Sequence, residues 1–81
     1  MSVSRLLYLD QLKPGQQCKL VDIDLEGATG QRLLDMGFIP GVEIKVIRNA
    51  PLVDPVELEV RGYYVSIRHA EAKHIEVSFY E

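Results

Sequence analysis

The sequence predicts a mainly β domain closed into a small barrel, with one short α-helix after its first strand, and three observations carry that prediction. Segments of alternating apolar and polar residues follow one another at short, regular spacing. Glycine and proline mark the joins between them. Only one segment, around residues 29–36, has helical spacing that runs into a glycine. The chain's 81 residues have room for one domain, 1–81, and a chain this short buries only about 60% of its unfolded surface, so the core is small.

Taken in order, the turn Lys13-Pro14-Gly15 introduces a first strand, Gln17 to Leu25. In the helix that follows, Thr29 is placed to cap the start, Leu33 and Met36 fall three apart on one face, and Gly37 sits where a left-handed residue ends a helix. Leu33, Leu34 and Met36 form its apolar surface, with Gln31, Arg32 and Asp35 left to water. Isolated helices need about 12 to 15 residues, so this shorter one must be held by packing. Phe38 and Ile39, between two glycines, either tuck inward or are presented. Pro40-Gly41 gives a type II turn signal, and Val42-Glu43-Ile44-Lys45-Val46 alternates as the next strand.

Val56 to Arg61 alternates strictly, and Gly62 reverses the side-chain parity, which places a hairpin turn or bulge there. Tyr63 to Arg68 forms the return strand. Its tyrosines fall on opposite faces, so at least one is expected in the core. His69 to Lys73 is long enough for one helical or 3₁₀ turn, and Ile75 to Phe79 alternates again. Five short, mostly antiparallel strands cannot make two large sheets, and closing them limits exposed edges. The expected fold is an SH3-like barrel of about five strands.

Composition and charge exclude several functions. A formal net charge of -3 gives no long-range attraction to phosphate backbones, so nucleic acid is not an expected partner despite the cluster Arg61, Tyr63, Tyr64 and Arg68. One cysteine, Cys18, rules out an internal disulfide and zinc sites built on Cys pairs; inside a strand it reads as a buried, inert thiol of a reducing compartment. Apolar runs are too short to span a bilayer, and Met1-Ser2-Val3-Ser4-Arg5 lacks the long apolar stretch of a signal peptide, so the cytosol is the expected location. No arrangement of nucleophile and base suggests catalysis. His69 and His74 lie five apart, off the i, i+4 face of a helical zinc pair; with Glu71 and Glu76 they suggest at most a weak surface site, and neither metal nor cofactor is expected.

From Leu9-Asp10-Gln11-Leu12-Lys13-Pro14-Gly15 to Ile75-Glu76-Val77 the chain resembles the small ferrous iron transport protein A family, FeoA. Three blocks carry the resemblance: Gln31-Arg32-Leu33-Leu34-Asp35-Met36-Gly37-Phe38-Ile39-Pro40-Gly41, then Val46 to Val56 through Asn49-Ala50-Pro51-Leu52-Val53-Asp54-Pro55, then Arg61-Gly62-Tyr63 with Ser66-Ile67-Arg68. Val53 stands where the family usually has glycine, and Gly30 where it usually has a larger residue. The resemblance implies an SH3-like fold, a cytoplasmic location, no catalysis, and support of the large ferrous iron permease whose cytoplasmic part carries a GTPase domain. Contact with the membrane is then expected only through that partner. An exposed edge strand would also permit weak homo-oligomers.

A recognition surface remains to be placed. The first candidate is the loop Asn49 to Pro55, with Pro51, Leu52, Val53 and Asp54 at its tip; its prolines stiffen it and lower the ordering cost of binding. Leu52 and Val53 there are either a lid over one barrel end or a contact. The second is the helix end, with Asp35, Met36, Phe38 and Pro40. A partner laid across both would meet an apolar centre rimmed by Arg32, Asp35, Arg48 and Asp54. The alternative function is a regulatory or peptide-binding module related to the C-terminal domain of metal-dependent repressors. A polyproline groove needs several aromatics, and this chain has no Trp, 4 Tyr and 2 Phe; a repressor needs a DNA-binding helix pair, for which there is no sequence.

Overall fold

The computed structural model describes residues 4–80; Met1, Ser2, Val3 and Glu81, on which the leader reading and the outer domain limits partly rest, lie outside them. The described elements are β1 (Ser4–Tyr8), a 3₁₀ turn (Leu9–Gln11), β2 (Gln17–Ile23), α1 (Gly27–Asp35), β3 (Glu43–Arg48), β4 (Val56–Val60), β5 (Tyr63–Ile67), α2 (His69–Ala72) and β6 (Ile75–Tyr80). The six strands form one antiparallel sheet in the order β1-β6-β2-β3-β4-β5. Register shifts at Leu20/Asp22 and Val46/Arg48 bend β2 and β3. The curled sheet wraps one core in which Leu20, Ile44, Val46, Leu58, Val60, Ile67 and Val77 meet Leu33 and Phe38. This is the SH3-like barrel expected from the sequence, with six strands rather than five.

The added strand is β1, which pairs with β6 from Ser4↔Tyr80 to Tyr8↔Glu76. Arg5-Leu6-Leu7-Tyr8 shows no alternation, because at the sheet margin Leu6 and Tyr8 stay exposed while Leu7 packs on the core. A strand with apolar residues on both faces leaves no period-2 signature.

Helix α1 begins at Gly27, two residues before Thr29, and Thr29 does not cap it: the N-cap is Glu26, which makes no side-chain cap bond. The first turn instead lies directly on the preceding backbone. Gly30 is buried, and a Cβ there would sit 2.3 Å from the Leu25 carbonyl oxygen. The stop follows expectation. Gly37 has φ +101°, the Phe38 N–H donates to the Leu33 carbonyl at 3.0 Å, and the Gly37 N–H donates to the Leu34 carbonyl at 3.0 Å. That is a Schellman pattern, whose usual apolar contact joins the second residue past the cap to the third from the helix end. Here those residues are Phe38 and Leu33, both wholly buried. Pro40-Gly41 makes the expected turn, with Gly41 at φ +93° and the Val42 N–H donating to Ile39 at 3.0 Å.

The β4–β5 hairpin turns at Arg61 and Gly62, with φ 54° and 84°, between the paired Val60 and Tyr63. Two positive-φ residues are what a type I′ turn requires. The expectation that one tyrosine lies in the core fails. Tyr63 and Tyr64 are 73% and 76% exposed: they stand at the hairpin tip on the last strand of the sheet, where the face of Tyr63 begins to be covered only at Val65 and Ile67 and the face of Tyr64 is still exposed at Ser66.

Candidate functional site

The loop between β3 and β4 is held from three sides. Asn49 donates through Nδ2 to the carbonyls of Asp10 at 3.0 Å and Leu12 at 2.7 Å, tying the loop's entry to the 3₁₀ turn. The Val53 N–H donates to the Ala50 carbonyl at 3.1 Å, closing a tight turn around Pro51-Leu52. At the exit the Asp54 carboxylate accepts the backbone N–H of His69 at 2.8 Å, at the start of α2. The His69 ring reaches back, its Nε2 lying 3.0 Å from the Ala50 carbonyl and 2.9 Å from that of Val53.

Leu52, at the tip, has φ 61° and is 100% exposed. A lid would be covered on one side, so Leu52 is no lid. Pro51, Val53 and Asp54 are also on the surface. Between this loop and the 3₁₀ turn lies an open groove of about 380 Å³, lined by Asp10 to Lys13, Asn49, Pro51, Leu52 and His69.

The helix end is differently built. Asp35 is exposed and accepts a hydrogen bond from Gln31 Nε2 at 3.0 Å; Pro40 is exposed and Met36 half-buried against the core. Phe38 is not presented: it is 0% exposed, drawn inward by the Schellman contact with Leu33. The apolar surface here belongs to Leu34 and Ile39, whose side chains are large and exposed. A groove of about 310 Å³ beside them is lined by Asp22, Ile23, Leu25, Gly27, Gly30, Gln31, Leu34 and Pro40. The sequence had offered Ile39 only as an undecided loop residue.

The two patches lie towards opposite ends of β4. The loop joins β4 at Val56, whereas a Cβ on Gly37 would lie 3.9 Å from Val60 Cγ1 and 4.0 Å from Arg61 Cδ, at the far end of that strand. Five strand residues span about 17 Å. Of the expected rim charges Arg32, Asp35, Arg48 and Asp54, the two arginines are engaged within the domain. Arg32 pairs with the buried Glu71 of α2, and Glu71 also accepts the Arg68 N–H at 3.0 Å. Arg48 faces Glu57 at 3.6 Å. A polar chain thus runs from α1 through α2 to the loop.

Glu71 and His69 are committed to these contacts, and among the described residues no three His, Cys, Asp or Glu side chains converge as a metal cluster. Cys18 is buried, and loss of solvent pushes its thiol up to about 12. No helix among the described residues is long and apolar enough to cross a membrane.

Comparison with known proteins bears on this geometry. The FeoA domain profile matches residues 7–78. The chain belongs to the FeoA family. A Fe(2+) transport protein A/Fe(2+) transporter FeoB fusion protein of Porphyromonas gingivalis is 41% identical over 71 residues, covering 88% of this chain, which spans only 8% of the fusion's length. A candidate Fe(2+) transport protein A of Campylobacter jejuni is 33% identical over 72 residues, covering 89% of this chain and 97% of its own. The solution structure of an FeoA protein from Chlorobium tepidum superposes with a TM-score of 0.83 at 36% identity, over 90% of this chain and 70% of that one. A zinc-complexed FeoA of Stenotrophomonas maltophilia, described as a prokaryotic SH3 domain protein, has a TM-score of 0.76 at 25% identity over 88% of each chain.

Proposed function

We propose that this FeoA domain is a non-enzymatic adaptor that docks on the cytoplasmic part of a FeoB-type ferrous iron permease and supports or regulates its transport. The observation that carries the reading is Leu52: a large apolar side chain fully in water, on a loop fixed at both ends. An ordered apolar tip loses little entropy on burial, which suits an anchor residue seated in a partner's pocket. The Porphyromonas gingivalis relative supports the choice of partner, since in that protein a chain similar to this one is continuous with a FeoB transporter. Pro51, Val53 and Asp54 flank the anchor. Asp35, Pro40, Leu34 and Ile39, at the helix end near the other end of β4, form a second patch outside the primary contact.

The test is co-purification of the full chain with full-length FeoB in detergent, with and without guanine nucleotide. Retention on FeoB, together with loss of ferrous uptake in cells lacking this protein, is the expected result. Normal uptake in such cells, with no other importer operating, contradicts it.

A further inference from the structure

We propose that His69 is the positioning residue of the docking loop: its ring is a latch that holds Leu52 outward, an inference that rests on the docking function proposed for that loop. His69 Nε2 lies 3.0 Å from the Ala50 carbonyl and 2.9 Å from the Val53 carbonyl, the two groups that bracket Pro51-Leu52. Carbonyl oxygens can only accept, so Nε2 carries the proton and donates to both. Ala50 receives a second donor, the Val53 N–H, on the same oxygen. His69 is itself fixed by its own N–H on Asp54, a residue of the loop it latches. The ring and the loop therefore position each other across 15 positions of sequence.

The latch has a clear task. Leu52 sits in the left-handed region, φ 61°, which a leucine does not adopt without support, and its exposed side chain makes no packing contact that could hold it there. Asn49 holds the loop's entry and Asp54 its exit, but apart from the single Val53–Ala50 bond only the imidazole, among the described residues, spans the tip. Without it the two carbonyls turn to water and Pro51-Leu52 samples several conformations, so that a partner must reorder them on binding.

Amide exchange and FeoB binding, measured on the full chain and on His69→Ala, His69→Gln and Leu52→Asp, test this. His69→Ala is expected to raise Val53 amide exchange at least tenfold and weaken binding to full-length FeoB about tenfold. His69→Gln, whose Nε2 can donate at the same place, is expected to recover most of both. Unchanged Val53 exchange in a folded His69→Ala protein overturns the latch. Faster exchange with unchanged binding, while Leu52→Asp abolishes binding, overturns the positioning role and leaves docking intact. If neither Leu52→Asp nor His69→Ala alters binding, the docking reading and this inference fall together. Should His69→Ala not fold, ¹⁵N-detected imidazole spectra of the unaltered protein decide: Nε2–H is expected, and a neutral ring protonated on Nδ1 overturns the latch.

Discussion

Gly30 shows how one position can reverse a propensity argument. An alanine in a helix is favoured over glycine by about 1 kcal/mol, so Gly30→Ala ought to stabilise α1. Yet a Cβ there meets the Leu25 carbonyl at 2.3 Å, a backbone atom that cannot rotate away. Overpacking of this kind costs about 1 to 3 kcal/mol, and the clash should win. Thermal melts of Gly30→Ala are expected to show net destabilisation; a rise in melting temperature would contradict the close approach. Cys18 yields a prediction of opposite kind. Its thiol is raised from 9.0 to about 12 by burial, so the folded state keeps a proton that the unfolded state releases above about pH 9. That contribution to stability is fully present below pH 9 and declines as pH rises towards 12, by at most about 1.4 kcal/mol per unit. At pH 8 the native thiol should stay silent to a disulfide reagent until denaturant is added.

At the scale of elements, Leu33 and Phe38 carry helix α1 into the core, and Met36 only assists. Phe38→Ala should cost about 3 to 5 kcal/mol, a large part of the stability of so small a domain, and Met36→Ala distinctly less; paired denaturant titrations would rank them. Which parts were legible follows from how local each signal is. Gly37 and Pro40-Gly41 announced the helix stop and turn because their conformations are set by neighbours in sequence. The strands β3, β4 and β6 showed themselves by alternation. Strand β1 did not, because its outer side chains are apolar and exposed. Tyr63 and Tyr64 misled for a related reason: parity tells which face a residue points to, not whether the barrel extends far enough to cover it. Phe38 was undecided until the hydrogen-bond pattern of the helix end paired it with Leu33.

For the whole molecule, the decisive information was three-dimensional. Asp35 and Asp54 both stood out as rim charges, but only the sheet order and the contact of Gly37 with the β4–β5 hairpin place the two candidate patches at opposite ends of one strand. The loop, which carries the fully exposed Leu52, is the surface we propose for docking. Docking through this loop is tested most directly by Leu52→Asp, measured for stability, FeoB binding and uptake together. An exposed loop substitution should shift stability by no more than about 0.5 kcal/mol, while a charge at the centre of an apolar contact should weaken binding to full-length FeoB at least tenfold and abolish ferrous uptake. A Leu52→Asp protein that melts like the parent, binds FeoB as tightly and restores full uptake would contradict it.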